Sequence, residues 1–216
     1  MNDKIALITG ASRGLGAAMA ENLGARGWHI VAVARTVGAL EELDDRVRAA
    51  GGSATLAPMD VALPDAMIQL VQGIQGRWGG VDLWVHAAIH AAPLSPMPHV
   101  DPKDMARSIA INVAATHGLI ALVDPLLRAR GGTALFLDDP RSGQPFFGAY
   151  GATKTAQIAM AKSWAAENAR LGPRVVVATP APMATATRAR FHPGEDRGAL
   201  IPCATEADRI LRDLLG

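Results

Sequence analysis

Residues 4–16 read Lys4-Ile5-Ala6-Leu7-Ile8-Thr9-Gly10-Ala11-Ser12-Arg13-Gly14-Leu15-Gly16, a short apolar run that breaks into a glycine-rich turn. The run has the pattern of a buried strand. Glycine at 10, 14 and 16 lets the backbone turn tightly and approach a pyrophosphate closely. Leu15, Met19 and Leu23 then recur at helical spacing, so a helix opens on the turn, and Gly27 stops it. The start of such a helix offers free N–H groups and a partial positive charge to an anion. Alone, a glycine-rich turn is as readily a turn with no ligand. Its place between a first strand and a helix makes it a phosphate site.

Outward from this turn the pattern repeats. Trp28–Ala34, Ala54–Met59, Val81–Ala87, Thr133–Leu137 and Arg174–Thr179 predict further strands. Between and after them, helices are predicted around Leu40, Leu43 and Val47, from Pro64 to Gly79, from Asp101-Pro102 towards Arg130 with a bend at Pro125, from Tyr150 to Leu171, and from Glu206 to Leu215. Strict alternation implies a parallel sheet with helices on both faces. Right-handed crossovers make it a doubly wound α/β Rossmann fold of about six strands, with ligands at the carboxyl ends of the strands. The expectation is a single domain over residues 1–216, with Trp28 and Trp84 in its core. The main irregular stretch is Ala178–Pro202, a loop long enough to carry a function.

Composition narrows the function. The chain has 216 residues, 50% of them hydrophobic, and a net charge of +1, which gives no electrostatic case for nucleic acid or an acidic membrane as partner. The one cysteine, Cys203, excludes an internal disulfide. Met1-Asn2-Asp3-Lys4 lacks the regions of a secretory leader, and no apolar run reaches the ~18 residues of a membrane span. A soluble, cytoplasmic protein is expected. His86 and His90 have the spacing of a helical metal pair, but they follow a strand and have no acid or cysteine cluster beside them, so no metal site is expected.

The turn Thr9-Gly10-Ala11-Ser12-Arg13-Gly14-Leu15-Gly16 resembles the signature of the short-chain dehydrogenases, and further marks of that family follow in order. Asp60-Val61 resembles the acidic pair that reaches the adenine. His86-Ala87-Ala88 stands where the family has Asn-Ala-Gly, and Asn112 matches its asparagine in the long helix. Tyr150-Gly151-Ala152-Thr153-Lys154 is its Tyr-x-x-x-Lys. Pro180-Ala181-Pro182-Met183, followed by Thr185, is similar to its Pro-Gly segment. The resemblance implies a nicotinamide cofactor, a small carbonyl or alcohol substrate, and a homodimer paired through the helices of Asn112 and Tyr150. It also implies a seventh strand, which the sequence lacks before Gly216.

An NAD site has an acid about 20 residues past the glycines, on the ribose 2′-hydroxyl. Here that window reads Val33-Ala34-Arg35-Thr36. Arg35, with Arg13 in the turn, suits a 2′-phosphate instead, so NADP(H) is expected. A surface arginine with no such role is the plainer alternative.

Tyr150 is the one tyrosine of the chain, and Lys154 follows on the same helical face. A free phenol, with a pKa of about 10, is a poor base at neutral pH. A nearby ammonium lowers that value. By resemblance, Tyr150 is the acid/base towards the substrate oxygen, Lys154 lowers its pKa and bonds the nicotinamide ribose, and Asn112 holds a water that relays protons. One mark is missing. The family has a serine 13 residues before the tyrosine, a donor to the developing oxyanion. Here that count lands on Leu137, next to Asp138 and Asp139, and the nearest serine, Ser142, is only eight residues back. An ionised carboxylate cannot donate. Three readings stay open. A buried, protonated Asp138 or Asp139 donates in the serine's place. One of them anchors a cationic substrate. Or turnover is lost, and the chain is a noncatalytic NADP(H)-binding sensor or scaffold. Aspartates that merely cap the loop are the plainest alternative.

Overall fold

Ile5 to Thr9 forms the first strand (β1), and every residue in it is buried. A strand covered on both faces needs apolar side chains at every position, which is why this segment reads as a continuous run instead of an alternating one. The structure is a computed structural model that describes residues 4–216. Met1 to Asp3, on which the expectation of no leader partly rests, lie outside the described residues.

After β1 come α1 (Gly14–Ala25), β2 (His29–Ala34), α2 (Val37–Ala49), β3 (Ser53–Pro58), α3 (Pro64–Trp78) and β4 (Leu83–His86). The second half runs through α4 (Pro102–Ser108), a π turn (Ile109–Ala114), α5 (Ala115–Arg128), β5 (Thr133–Leu137), α6 (Gly148–Glu167), β6 (Arg174–Ala178), α7 (Ala186–Phe191) and α8 (Cys203–Leu215). The six strands form one sheet in the order β3-β2-β1-β4-β5-β6, and each neighbouring pair is parallel. The chain reverses its winding between β1 and β4, which opens a crevice at their carboxyl ends.

Alternate strand residues feed two cores. Ala6, Ile8, Ile30 and Val85 meet Met19 and Leu23 of α1, Leu40 of α2 and Ile210 of α8 on one face. Leu7, Val31, Trp84 and Phe136 meet Met67 of α3, Leu119 and Val123 of α5, and Trp164 of α6 on the other. Trp28 joins the first core and Trp84 the second. Phe136 is fully buried, with its ring edge-on to Trp84 at 5.3 Å and to Trp164 at 6.3 Å. Three large rings leave little room for collapse around a deletion. Phe136→Ala is therefore expected to lower stability by about 3–5 kcal/mol, read as a drop in urea midpoint at unchanged m-value.

The structure differs from the sequence-based elements at the ends and in the long loop. α6 begins at Gly148 instead of Tyr150, and α8 begins at Cys203 instead of Glu206. The loop 178–202 carries α7 and is tied by a bridge between Met183 and Ile201. In the long helix Pro125 lies inside α5, and the irregular turn lies earlier, around Asn112. Joined as one 27-residue helix, Pro102–Arg128 is long and apolar enough to cross a membrane by length and hydropathy alone. No single run in the sequence showed this, because the apolar positions are interspersed. In the fold, Leu119, Val123 and Leu126 of that helix pack into the second core.

Candidate active site

The crevice at the switch point is a cleft of about 300 Å³. One end is built by the first turn. Gly10 has a φ of +82°, and a Cβ there would lie 2.6 Å from the backbone of Ala87 and Ala88. A Cβ on Gly16 would lie 2.4 Å from the carbonyl oxygen of Gly10. Backbone therefore packs on backbone where β1, α1 and the end of β4 converge. Arg13 at the N-cap of α1 makes no side-chain cap, so the first N–H groups of the helix are left to face the cleft. Ser12, Arg13, Gly14 and Leu15 line this end, with Gly10 and Gly16 beneath.

Arg35, Asp60 and Val61 line the next stretch, and Ala87, Ala88, Pro180 and Thr185 the middle. The Arg35 guanidinium is half-exposed and lies 3.9 Å from the Asp60 carboxylate, so it is held only loosely. Asp60 Oδ1 also accepts the Ala62 N–H at 3.0 Å. The Pro180 segment is anchored from behind by Glu206, which is buried, accepts the Ala181 N–H at 2.8 Å and pairs with Arg209.

At the far end α6 brings Tyr150 and Lys154 one turn apart, both buried. Phe191 of α7 packs on the Tyr150 ring at 4.8 Å, and Phe147 and Ala91 join them in a small apolar box. The Tyr150 hydroxyl donates to Asp139 Oδ2 at 3.1 Å. Arg141 Nε donates to the other oxygen, Oδ1, at 2.8 Å. Burial first, and then the charge and hydrogen bond of Asp139, push the Tyr150 phenol well above its usual range, and Arg141 only partly opposes this. The sequence predicted the opposite, a phenol depressed by Lys154. Burial and the Asp139 carboxylate decide the direction. Lys154 Nζ donates to Gln157 Oε1 at 2.6 Å, and burial pulls the lysine down to about 8.

Gln157 belongs to a buried polar chain. Its amide donates to Thr116 Oγ1 at 3.0 Å, and Thr116 donates to the Asn112 carbonyl at 3.0 Å. His86 Nε2 also meets Thr116 Oγ1 at 3.0 Å, and His86 Nδ1 meets Thr9 Oγ1 at 2.8 Å. With the Thr116 proton spent on Asn112, the consistent assignment protonates Nε2 and lets Thr9 donate to Nδ1. Burial, helped by Lys154, pushes His86 down to about 3, so it stays neutral. His90 is within 3.5 Å of Asp104, and among the described residues no three His, Cys, Asp or Glu side chains gather as metal ligands.

Thus one cleft brings together Tyr150, Lys154, Asp138 and Asp139 with the glycine turn and Arg35. Asn112 is the exception. Its side chain accepts the His90 N–H at 2.7 Å and donates to the His90 carbonyl and to Thr153 Oγ1, so it pins the segment after β4 to α6 from behind the cleft. Asp139 faces Tyr150 and accepts from two donors, the Tyr150 hydroxyl and Arg141 Nε. Arg141, Phe191 and Gln157 complete the site and were not legible as site residues. A two-residue Asp-x-Arg spacing in a loop carries no signal until the loop is folded.

The strand order, the turn after β1 and the tyrosine–lysine pair over the switch point define a Rossmann-type oxidoreductase site. The chain belongs to the short-chain dehydrogenase family, whose profile matches residues 4–196. It is 33% identical to the 3beta-hydroxysteroid dehydrogenase 1 of Eggerthella lenta over 94% of this chain and 80% of that protein. It is 32% identical to an uncharacterized oxidoreductase of Mycobacterium tuberculosis over 72% of this chain and 60% of the relative, so it spans less than two thirds of that protein. Among solved structures, a short chain dehydrogenase from Escherichia coli complexed with NADPH superposes with a TM-score of 0.89 at 29% identity, covering 98% of this chain and 90% of the other.

Proposed function

We propose that the protein is an NADP(H)-dependent oxidoreductase acting on a small carbonyl or alcohol, with Tyr150 as acid/base. The observation that carries this is the placing of Tyr150 and Lys154 at one end of a cleft whose other end is the glycine turn and the open start of α1. The residues fit the cofactor. Backbone N–H groups suit the pyrophosphate. Arg35 and Arg13 suit a 2′-phosphate, and no acid stands at residues 35–40, past β2, to hold a 2′-hydroxyl. The bound NADPH of the Escherichia coli neighbour supports the same choice.

When bound, NADP(H) supplies or takes the hydride at nicotinamide C4. The chain does the rest. Tyr150 gives or takes the proton at its Oη, Lys154 would bond the ribose side of the cofactor, and Asn112 positions the segment after β4 that lines the cleft. Phe147, Phe191 and Ala91 form an apolar wall for the substrate and exclude water from the Tyr150 hydroxyl. A cytoplasmic homodimer paired through α5 and α6 belongs to this reading and rests on the family resemblance.

Arg35→Ala is expected to weaken NADPH by about 10- to 100-fold, the ~1.5–3 kcal/mol of a charged hydrogen bond, and to leave NADH nearly unchanged. Nicotinamide fluorescence titrations with both cofactors measure this. Equal losses for the two would remove Arg35 from the 2′-phosphate site. The main test adds a panel of ketones and aldehydes to the NADPH complex and follows its oxidation. The Tyr150–Asp139 bond favours one second reading, a noncatalytic NADP(H)-binding sensor or scaffold, because it turns the phenolic proton away from a substrate. Tight NADPH binding with no turnover across the panel is its signature.

A further inference from the structure

We propose that Asp139 is a catalytic proton carrier, the terminal member of a Tyr150–Asp139 relay between the substrate oxygen and solvent. This rests on the oxidoreductase reading above and assigns Asp139 a role unlike a serine's. The geometry is that of a relay. The Tyr150 hydroxyl already donates to Asp139 Oδ2 at 3.1 Å, and its lone pairs stay open to a substrate hydroxyl on the cleft side. Asp139 in turn is ion-paired with Arg141 at 2.8 Å, and its side chain is about one third exposed, so a proton that reaches it has a way out to water.

The step balances without a phenolate. As the alcohol C–H bond gives its hydride to NADP+, the alcohol O–H bond breaks and its proton passes to Tyr150 Oη. The original Tyr150 proton passes to Asp139 Oδ2. The products are a carbonyl, NADPH, a neutral tyrosine and a carboxylic acid at Asp139, which releases its proton to solvent. A buried phenol pressed against a carboxylate is a poor candidate for ionisation. In the relay it never ionises. Reduction runs the same relay backwards, from Asp139 through Tyr150 Oη to the carbonyl oxygen. The titratable and charged groups around Asp139 are Asp138 and Arg141 on its own loop, Tyr150 and Lys154 on α6, and Arg188 on α7.

Tyr150 is the chain's one tyrosine, so tyrosinate absorbance near 295 nm titrates it alone, with no cofactor present. In Asp139→Asn the tyrosinate midpoint is expected to fall by about one to three pH units relative to wild type, the usual size of a like-charge effect at this range. With NADP+ and secondary alcohols such as cyclohexanol and 1-phenylethanol, wild-type oxidation is expected to be level on the alkaline side and to fall in acid. In Asp139→Asn and Asp139→Ser it should instead climb with pH along the tyrosinate titration. An unmoved tyrosinate midpoint, or variants that keep the wild-type pH profile, overturns the relay. A wild type that binds NADPH and shows the coupled titration, yet turns over neither alcohols nor ketones, overturns the oxidoreductase reading and the relay as a catalytic device with it.

Discussion

Tyr150→Phe is expected to cut turnover by roughly 100- to 10,000-fold, the usual worth of a positioned acid/base, while NADPH affinity stays within about threefold of wild type. The change removes one oxygen. The ring keeps its place against Phe191 and Phe147 in the apolar box, so the wall of the cleft is unchanged. The partner left behind, Asp139, retains Arg141 and partial access to water, so it is not stranded. Stability should therefore move by less than about 1 kcal/mol, as for other deletions that create no cavity and strand no charge. A loss confined to kcat, with cofactor binding and urea midpoint preserved, places the proton transfer at the Tyr150 oxygen. Equal loss of binding and turnover would point to a packing role.

Gly10→Ala should be the most damaging single methyl group in the chain. Its φ of +82° is strained for alanine, and the new Cβ would sit 2.6 Å from the backbone of Ala87 and Ala88, neither of which is a side-chain end that can swing aside. Strain and overpacking each cost about 1–3 kcal/mol, so a destabilisation of about 2–5 kcal/mol is expected. NADPH affinity should fall by at least about tenfold with it, because the same methyl forces β1 and β4 apart under the phosphate turn. Gly27→Ala is the control. That residue has a similar φ of +79° but nothing within 4 Å of the added carbon, so it should show a small strain cost and unchanged NADPH binding. If the two variants behave alike, the backbone contact between Gly10 and Ala87 is not what shapes the site.

Much of this arrangement is legible in the chain itself, for identifiable reasons. The central strands β1, β2 and β4 leave nearly continuous apolar runs because both faces are covered, and the glycines at 10 and 16 are required by contacts that no other residue permits. The tyrosine–lysine pair is local to one helix, so its spacing survives folding unchanged. What escapes the sequence is long-range or conditional. The Gln157–Thr116–His86 chain joins three elements up to 71 residues apart, and nothing in any one segment announces it. The direction of the Tyr150 shift depends on how deeply the phenol is buried and on a carboxylate 11 residues upstream. The tyrosine–lysine spacing announces neither. α7 is short, lies in a proline-rich loop and owes its position to the bridge between Met183 and Ile201, so local pattern does not reveal it.

Hydride transfer from NADPH to a carbonyl carbon is measured directly by deuterium tracing. The wild-type protein is loaded with NADPH deuterated at nicotinamide C4 and mixed with the ketone and aldehyde panel, and products are analysed by mass spectrometry. The expected result is an alcohol carrying one deuterium on the former carbonyl carbon, formed by the wild type and nearly absent with Tyr150→Phe. NADPH bound tightly in the same cleft, with no deuterium delivered to any carbonyl at any pH tested, would contradict it.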